Sequence, residues 1–211
     1  MILYGMYDSP FVRRVAVTMR LYGMPYEHRP WSVGRDQLAL REVNPLGRVP
    51  ALVLDSGETL VDSSAILDFL DEQAGAARAL LPTGGPERRH ALQLIALSLG
   101  AVEKGLHVVL EHVFRPVDKR HEPWLARCRA QIDGALAALE RHCAEVPAGH
   151  WLLGTAPMQP DITLACVYTY LREATGVDFA PYPALRRCAE QTLALPALRE
   201  IYLPFDAPVG A

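Results

Sequence analysis

Met1-Ile2-Leu3-Tyr4-Gly5, then Ser9-Pro10-Phe11-Val12, then Gly23-Met24-Pro25 punctuate the first 25 residues, and their reading decides the fold. The apolar run from Met1 to Tyr4 predicts a short strand that ends at Gly5. Ser9-Pro10 predicts a helix start, because proline at the first helical position gives up an N–H that has no intrahelical partner anyway. Val12, Val15, Met19 and Tyr22 then recur at helical spacing until Gly23-Met24-Pro25 stops the helix. Working outward, Tyr26 to Arg29 predicts a second strand, and Asp36 to Val43 a short helix ended by Asn44-Pro45. Ala51 to Leu54 and Thr59 to Val61 flank Asp55-Ser56-Gly57-Glu58, a hairpin signal. Asp62 opens a helix with Ile66, Phe69 and Leu70 on its apolar face, and Gly75 is its expected stop.

The order βαβ then ββα within about 75 residues describes a thioredoxin-like domain: the crossover forces two parallel strands and the hairpin adds an antiparallel pair. We assign it residues 1–76. Residues 77–86, with Leu80-Leu81-Pro82-Thr83 and Gly84-Gly85-Pro86, read as a linker. Residues 87–211 carry no strand pattern and are expected to form a helical bundle. Glu87 to Phe114 shows Leu92, Ile95, Leu99, Val102, Leu106, Val109 and Val113 on one stripe, with further helices over Glu122 to Val146, Asp161 to Thr175 and Pro183 to Leu195. The fold class is α/β plus all-α.

The chain has 211 residues, 50% hydrophobic and 21% charged, with a formal net charge of -3. This composition is that of a globular protein, and it gives no electrostatic reason to propose nucleic acid or an anionic membrane as partner. The N-terminus lacks the basic stretch and long apolar core of a signal peptide, and no window reaches roughly 18 consecutive apolar residues. Cys128, Cys143, Cys166 and Cys188 form no CxxC pair, so they are expected to be reduced thiols in a cytoplasmic protein. His107, His112, His121, His142 and His150 show no metal-binding spacing, and no GxSxG or phosphate-binding loop is present. Neither metal nor nucleotide is expected.

Three segments carry candidate chemistry. Ser9 falls at a helix N-cap, where its hydroxyl sits at the positive end of the helix dipole beside N–H groups that favour an anion. A thiol held there would be driven toward thiolate, although a serine at this position serves equally as an ordinary cap. Val49-Pro50 precedes an apolar strand; a cis bond there would present the Val49 backbone to a peptide ligand, and a trans proline at a strand's first residue is the alternative. Asp62-Ser63-Ser64 opens a helix directly after a strand. Free N–H groups and the serine hydroxyls make a carboxylate site and Asp62 could meet an ammonium, or Asp62 simply caps the helix.

In this order and spacing the three segments resemble the cytosolic glutathione transferases, and the resemblance extends over essentially the whole chain. It is similar to serine-type members: Ser-Pro-Phe-Val resembles the tau branch, and omega relatives place Cys before the same Pro-Phe. The resemblance implies that Ser9 stabilises the glutathione thiolate, with Phe11 beside it. Val49 would pair its main chain with the cysteinyl backbone before a cis-Pro50. Asp62 and Ser63 would hold the γ-glutamyl end, and Arg48 or Arg35 the glycyl carboxylate. Leu106, His107, Leu110 and Phe114 would line the pocket of a small hydrophobic electrophile, although apolar residues at this spacing also describe plain helix core. Glutathione is then a consumed co-substrate and no group is bound permanently.

The activity implied is conjugation of that thiolate to the electrophile. Glutathione-dependent isomerisation or dehalogenation on the same scaffold, or a non-catalytic binding module, are the alternatives. Tyr7 competes with Ser9 for the catalytic role, since tyrosine-type members carry their hydroxyl nearby; Ser9 ranks first because it alone has the helix-start geometry. Met158 stands where the family usually opens a buried helix with Ser or Thr three residues before Asp161. That departure removes half of a capping box. The family also implies a homodimer, to which Leu94 and Leu97, beside the principal stripe of the long helix, would contribute apolar surface, unless they belong to the monomer's own core.

Overall fold

The computed structural model of the chain describes residues 1–207. Strand β1 (Ile2–Tyr4) leads into α1 (Pro10–Tyr22), β2 (Glu27–Arg29), α2 (Gln37–Val43), β3 (Ala51–Val53), β4 (Thr59–Leu60) and α3 (Ser63–Ala74). The sheet order is β2-β1-β3-β4. β1 runs parallel to β2 and antiparallel to β3, and β4 is antiparallel to β3. The local signals act as the sequence suggests: Ser9 caps α1, Gly23 ends it in the left-handed conformation, and Asp62 caps α3. Helix α1 is buried nearly all round, Arg13 and Arg14 included, and packs on α3.

The second compact unit, Leu81–Leu195, holds α4 (Gly85–Phe114), α5 (Glu122–Glu145), α6 (Gln159–Tyr170, continued by a π turn over Leu171–Thr175) and α7 (Pro183–Leu193), with a 3₁₀ turn at Val117–Lys119. The long helix starts two residues before its expected first residue, with Pro86 in its first turn. Its buried face differs from the expected stripe. Leu92 is exposed, while Ala91, Leu94, Ile95, Ser98, Ala101, Val102 and Gly105 are buried. Small residues let α5 and α6 approach closely, and a stripe drawn through large apolar residues passes over them. Helix α4 is long and apolar enough to cross a membrane by length and composition alone, but this inner face belongs to the unit's core. Leu94 is 4% exposed in the single chain, so it offers no surface for a partner; Leu97 is half-buried.

The expectation that residues 87–211 form one helical body needs correcting at its end. After α7, a short α8 (Pro196–Arg199) and the described residues that follow it group with Met1–Leu80. Helix α8 packs on α1, Glu200 pairs with Arg20 at 2.5 Å, and Leu203 O accepts from Arg13 Nη2 at 2.7 Å. A proline soon after α7 breaks the helix, and the buried Arg13 guanidinium, with the ring centre of Tyr202 5.2 Å away, anchors the returning segment. The four cysteines are free thiols, all buried.

Candidate active site

Strand register brings the three candidate segments to one end of the sheet. Tyr4 lies opposite Ala51 and Leu52 opposite Leu60. The exit of β1 toward Ser9, the entry of β3 from Val49-Pro50 and the exit of β4 toward Asp62-Ser63 therefore share that end. Both α1 and α3 begin there, so two helix N-termini with their unpaired N–H groups and positive dipole ends face a common region. Such a region suits an elongated anion.

Gly5 allows this convergence. A Cβ at Gly5 would lie 2.5 Å from Val12 Cγ2 and 2.8 Å from Val49 Cβ, and its φ of +126° is a conformation few side-chain-bearing residues adopt. The loop carrying Ser9 thus seats directly against the loop carrying Val49. The Val49-Pro50 bond is cis, the form the resemblance implied. Asn44, 2% exposed, shapes the loop from inside: its Nδ2 donates to Arg48 O at 2.8 Å and its Oδ1 accepts from Leu46 N at 3.0 Å.

Ser9 Oγ accepts from Val12 N at 3.4 Å, a long and weak cap bond that leaves the hydroxyl proton for another acceptor. Tyr7 stands differently. Its hydroxyl pairs with the Tyr26 hydroxyl at 2.9 Å and its ring stacks on His28 at 3.9 Å; burial first, and then that hydrogen bond, push its pKa well above the ordinary phenol value. Phe11 is half-buried in the first turn of α1.

At α3 the Asp62 side chain accepts from Ser64 N at 2.8 Å and is exposed, so one carboxylate oxygen caps while the group remains open to a cation. Ser63 is 2% exposed. Arg14 reaches it from α1, Nε at 3.2 Å and Nη2 at 2.9 Å from Ser63 Oγ, with Nη2 also 2.9 Å from Ser64 Oγ. Arg48 is exposed in the Asn44–Val49 loop. Arg35 lies beside that end of the unit from another side: its Nη2 is 3.4 Å from Met6 Sδ and its Nη1 3.5 Å from the Asp206 carboxylate.

On α4, Leu106, Leu110 and Phe114 follow one another at four-residue intervals on one face. Leu106 is half-buried, whereas Leu110 and Phe114 are exposed. His107, turned away from that row, packs edge-on against Trp124 with ring centres 5.5 Å apart. Two buried charged residues escaped the sequence pattern, one beside Ser9 and one against the start of α3. Asp8 is 9% exposed; burial raises its carboxyl above the usual range, although it accepts from Asp206 N at 3.2 Å. Arg14 is the other. Neither is part of a periodic apolar pattern, and only the fold shows that both are buried.

A thioredoxin-like unit with a ligand end built from two helix N-termini and a cis-proline loop, joined to an all-helical unit, defines the class of protein. Residues 3–78 match the glutathione S-transferase N-terminal domain and residues 122–188 the glutathione S-transferase C-terminal domain, and the chain belongs to the glutathione S-transferase family. A maleylacetoacetate isomerase of Pseudomonas aeruginosa is 30% identical over 215 residues, 98% of this chain and 97% of its own. A glutathione transferase family member of Pseudomonas fluorescens Pf-5, solved with bound glutathione, superposes with a TM-score of 0.84 at 31% identity, covering 97% of this chain and 99% of that one. A bacterial maleyl pyruvate isomerase, described as a zeta-class glutathione S-transferase, superposes with a TM-score of 0.81 at 28% identity, covering 95% and 96%.

Proposed function

We propose that the protein binds glutathione at the end of the sheet where α1 and α3 begin and directs its thiolate onto a small electron-poor carbon compound. The observation that carries this reading is Ser9, an N-cap hydroxyl with a weak cap bond at a dipole end that stabilises negative charge. Its proton donates to the sulfur, holding the thiolate form at a pH where a free thiol with pKa about 8.5 is mostly protonated. Val49 pairs with the cysteinyl backbone, Asp62 and Ser63 hold the γ-glutamyl end, and Arg48 or Arg35 serves the glycyl carboxylate. Leu106, Leu110 and Phe114, on one face of α4, would contribute to the electrophile's pocket; His107, held against Trp124, is left out of it. In conjugation the new C–S bond is kept: addition to a double bond ends with a proton taken up at the neighbouring carbon, and substitution releases the leaving group together with the thiol proton. Glutathione is consumed, and the protein works in the cytoplasm as a homodimer.

A second reading is isomerisation, favoured by the names of two relatives that match nearly the whole chain. There the thiolate adds to one carbon of a double bond, rotation follows about the resulting single bond, and the C–S bond breaks to restore the alkene and free glutathione. Proton NMR of a cis-unsaturated dicarboxylate with catalytic glutathione separates the two: trans product with glutathione unchanged means isomerisation, whereas stoichiometric thioether means conjugation.

Ser9→Ala is expected to raise the bound thiol's pKa, read from thiolate absorbance against pH, and to slow turnover by roughly 10- to 100-fold with a much smaller change in glutathione affinity. Unchanged turnover in Ser9→Ala together with collapse in Tyr7→Phe would move the role to Tyr7. Sedimentation equilibrium checks the dimer, with an expected mass twice that of the 23.3 kDa chain. A mass equal to one chain at all concentrations would refute it.

A further inference from the structure

We infer that Arg14, a residue of α1 outside the ligand-facing segments, is a positioning residue that fixes the direction in which Ser63 donates its proton. This rests on the glutathione reading of the site. Arg14 is 1% exposed, and its Nε and Nη2 both donate to Ser63 Oγ, at 3.2 and 2.9 Å. A guanidinium has donors only, so the Ser63 hydroxyl is an acceptor on the Arg14 side and its own proton points elsewhere. The same Nη2 lies 2.9 Å from Ser64 Oγ, imposing the same polarity on the second hydroxyl of the pair.

Both serines open α3, beside the N–H groups of its first turn. A hydroxyl that accepts from a cation is polarised, and its O–H becomes a stronger donor to an anion on the other side. Arg14 thereby turns two serines, each able to accept or donate in water, into fixed donors for one carboxylate, before any ligand arrives. A guanidinium stays protonated at every working pH, so this polarity does not change with pH. Preorganisation of this kind shows in the affinity for the carboxylate and hardly at the distant thiol.

The experiment compares binding of two ligands, glutathione and its analogue lacking the γ-glutamyl α-carboxylate, to the wild type, Arg14→Met and Arg14→Lys by calorimetry, with thermal unfolding to verify folding. Methionine keeps the apolar stem packed and removes the donors. Arg14→Met is expected to weaken glutathione by roughly tenfold or more and the analogue by less than about twofold, with kcat at saturating glutathione little changed. Arg14→Lys, with one ammonium that cannot reach both serines in a planar fork, is expected to fall between. Equal losses for both ligands would overturn the inference, since a merely structural role moves both alike. If Arg14→Met does not fold, Arg14→Lys with undiminished discrimination between the ligands overturns it too. A wild type that binds glutathione and the analogue equally well would instead sink the placement of the γ-glutamyl end, whatever the variants do.

Discussion

Gly5→Ala is expected to destabilise the first unit by roughly 2–6 kcal/mol and to abolish glutathione binding with it. Two costs add. A methyl at Gly5 would stand 2.5 Å from Val12 Cγ2 and 2.8 Å from Val49 Cβ, and the second of these atoms is bonded directly to the backbone, so no side-chain rotation moves it aside. The φ of +126° adds strain for any residue with a Cβ. Relief requires the Val49-Pro50 loop to part from the start of α1, which separates the two segments that would hold the cysteinyl residue of the ligand. Thermal unfolding should show a melting temperature lower by roughly 10 °C or more. Gly23→Ala is the control: Gly23 is also left-handed, at φ +67°, but nothing lies within 4 Å of the place an added methyl would take, so it should lose only about 1 kcal/mol. If the two variants melted alike, the close approach of Val49 would not be what Gly5 is there to allow.

Local signals in the sequence are strong where the chemistry of single residues dictates the backbone. Ser9-Pro10 and Gly23 bracket α1 at its observed limits, and Asp62 caps α3. These residues act through their own hydrogen bonds and dihedral preferences, which need no tertiary partner. The candidate segments are legible for the same reason, since each lies at an element boundary. What is not legible depends on which face is covered. Leu92 has the spacing of a core residue and is exposed, because Ala91, Ser98, Ala101 and Gly105 make the close-packed side of α4. Helix α6 is buried on every side from Gln159 to Tyr170, so it has no apolar stripe to follow. Arg14 and Asp8 belong to no motif or apolar pattern in the sequence, and only packing shows them to be buried groups at the site. The return of the chain after Pro196 onto α1 is illegible too: four residues of helix are too few for periodicity to register.

Asp161→Ala should have the largest effect on the second unit, about 3–5 kcal/mol. Asp161 is 2% exposed, and its two carboxylate oxygens accept from Leu152 N and Met158 N, each at 2.9 Å. The departure at Met158 is thus offset by the aspartate, which makes its half of the capping box and also ties down the loop before α6. Truncation to alanine leaves both N–H groups without their acceptor, each at about 1–3 kcal/mol. Asp161→Asn keeps one acceptor and turns an NH₂ toward the other N–H, so it should be destabilised as well, and its pH dependence carries the more specific prediction. Burial raises the Asp161 carboxyl above its ordinary value of 3.8, outweighing the hydrogen bonds from Leu152 and Met158. A carboxyl raised on folding binds more protons in the native state than in the unfolded chain. Its contribution to stability is therefore greatest below the unfolded value and is lost as pH rises through the folded one. Asparagine does not titrate. The stability gap between wild type and Asp161→Asn, from urea midpoints, should accordingly widen as pH is lowered from neutrality toward the ordinary carboxylate range, while the raised carboxyl of Asp8 affects both proteins equally. A gap that narrows over that interval would mean that the carboxylate is more stable folded than unfolded, and that its hydrogen bonds outweigh its burial.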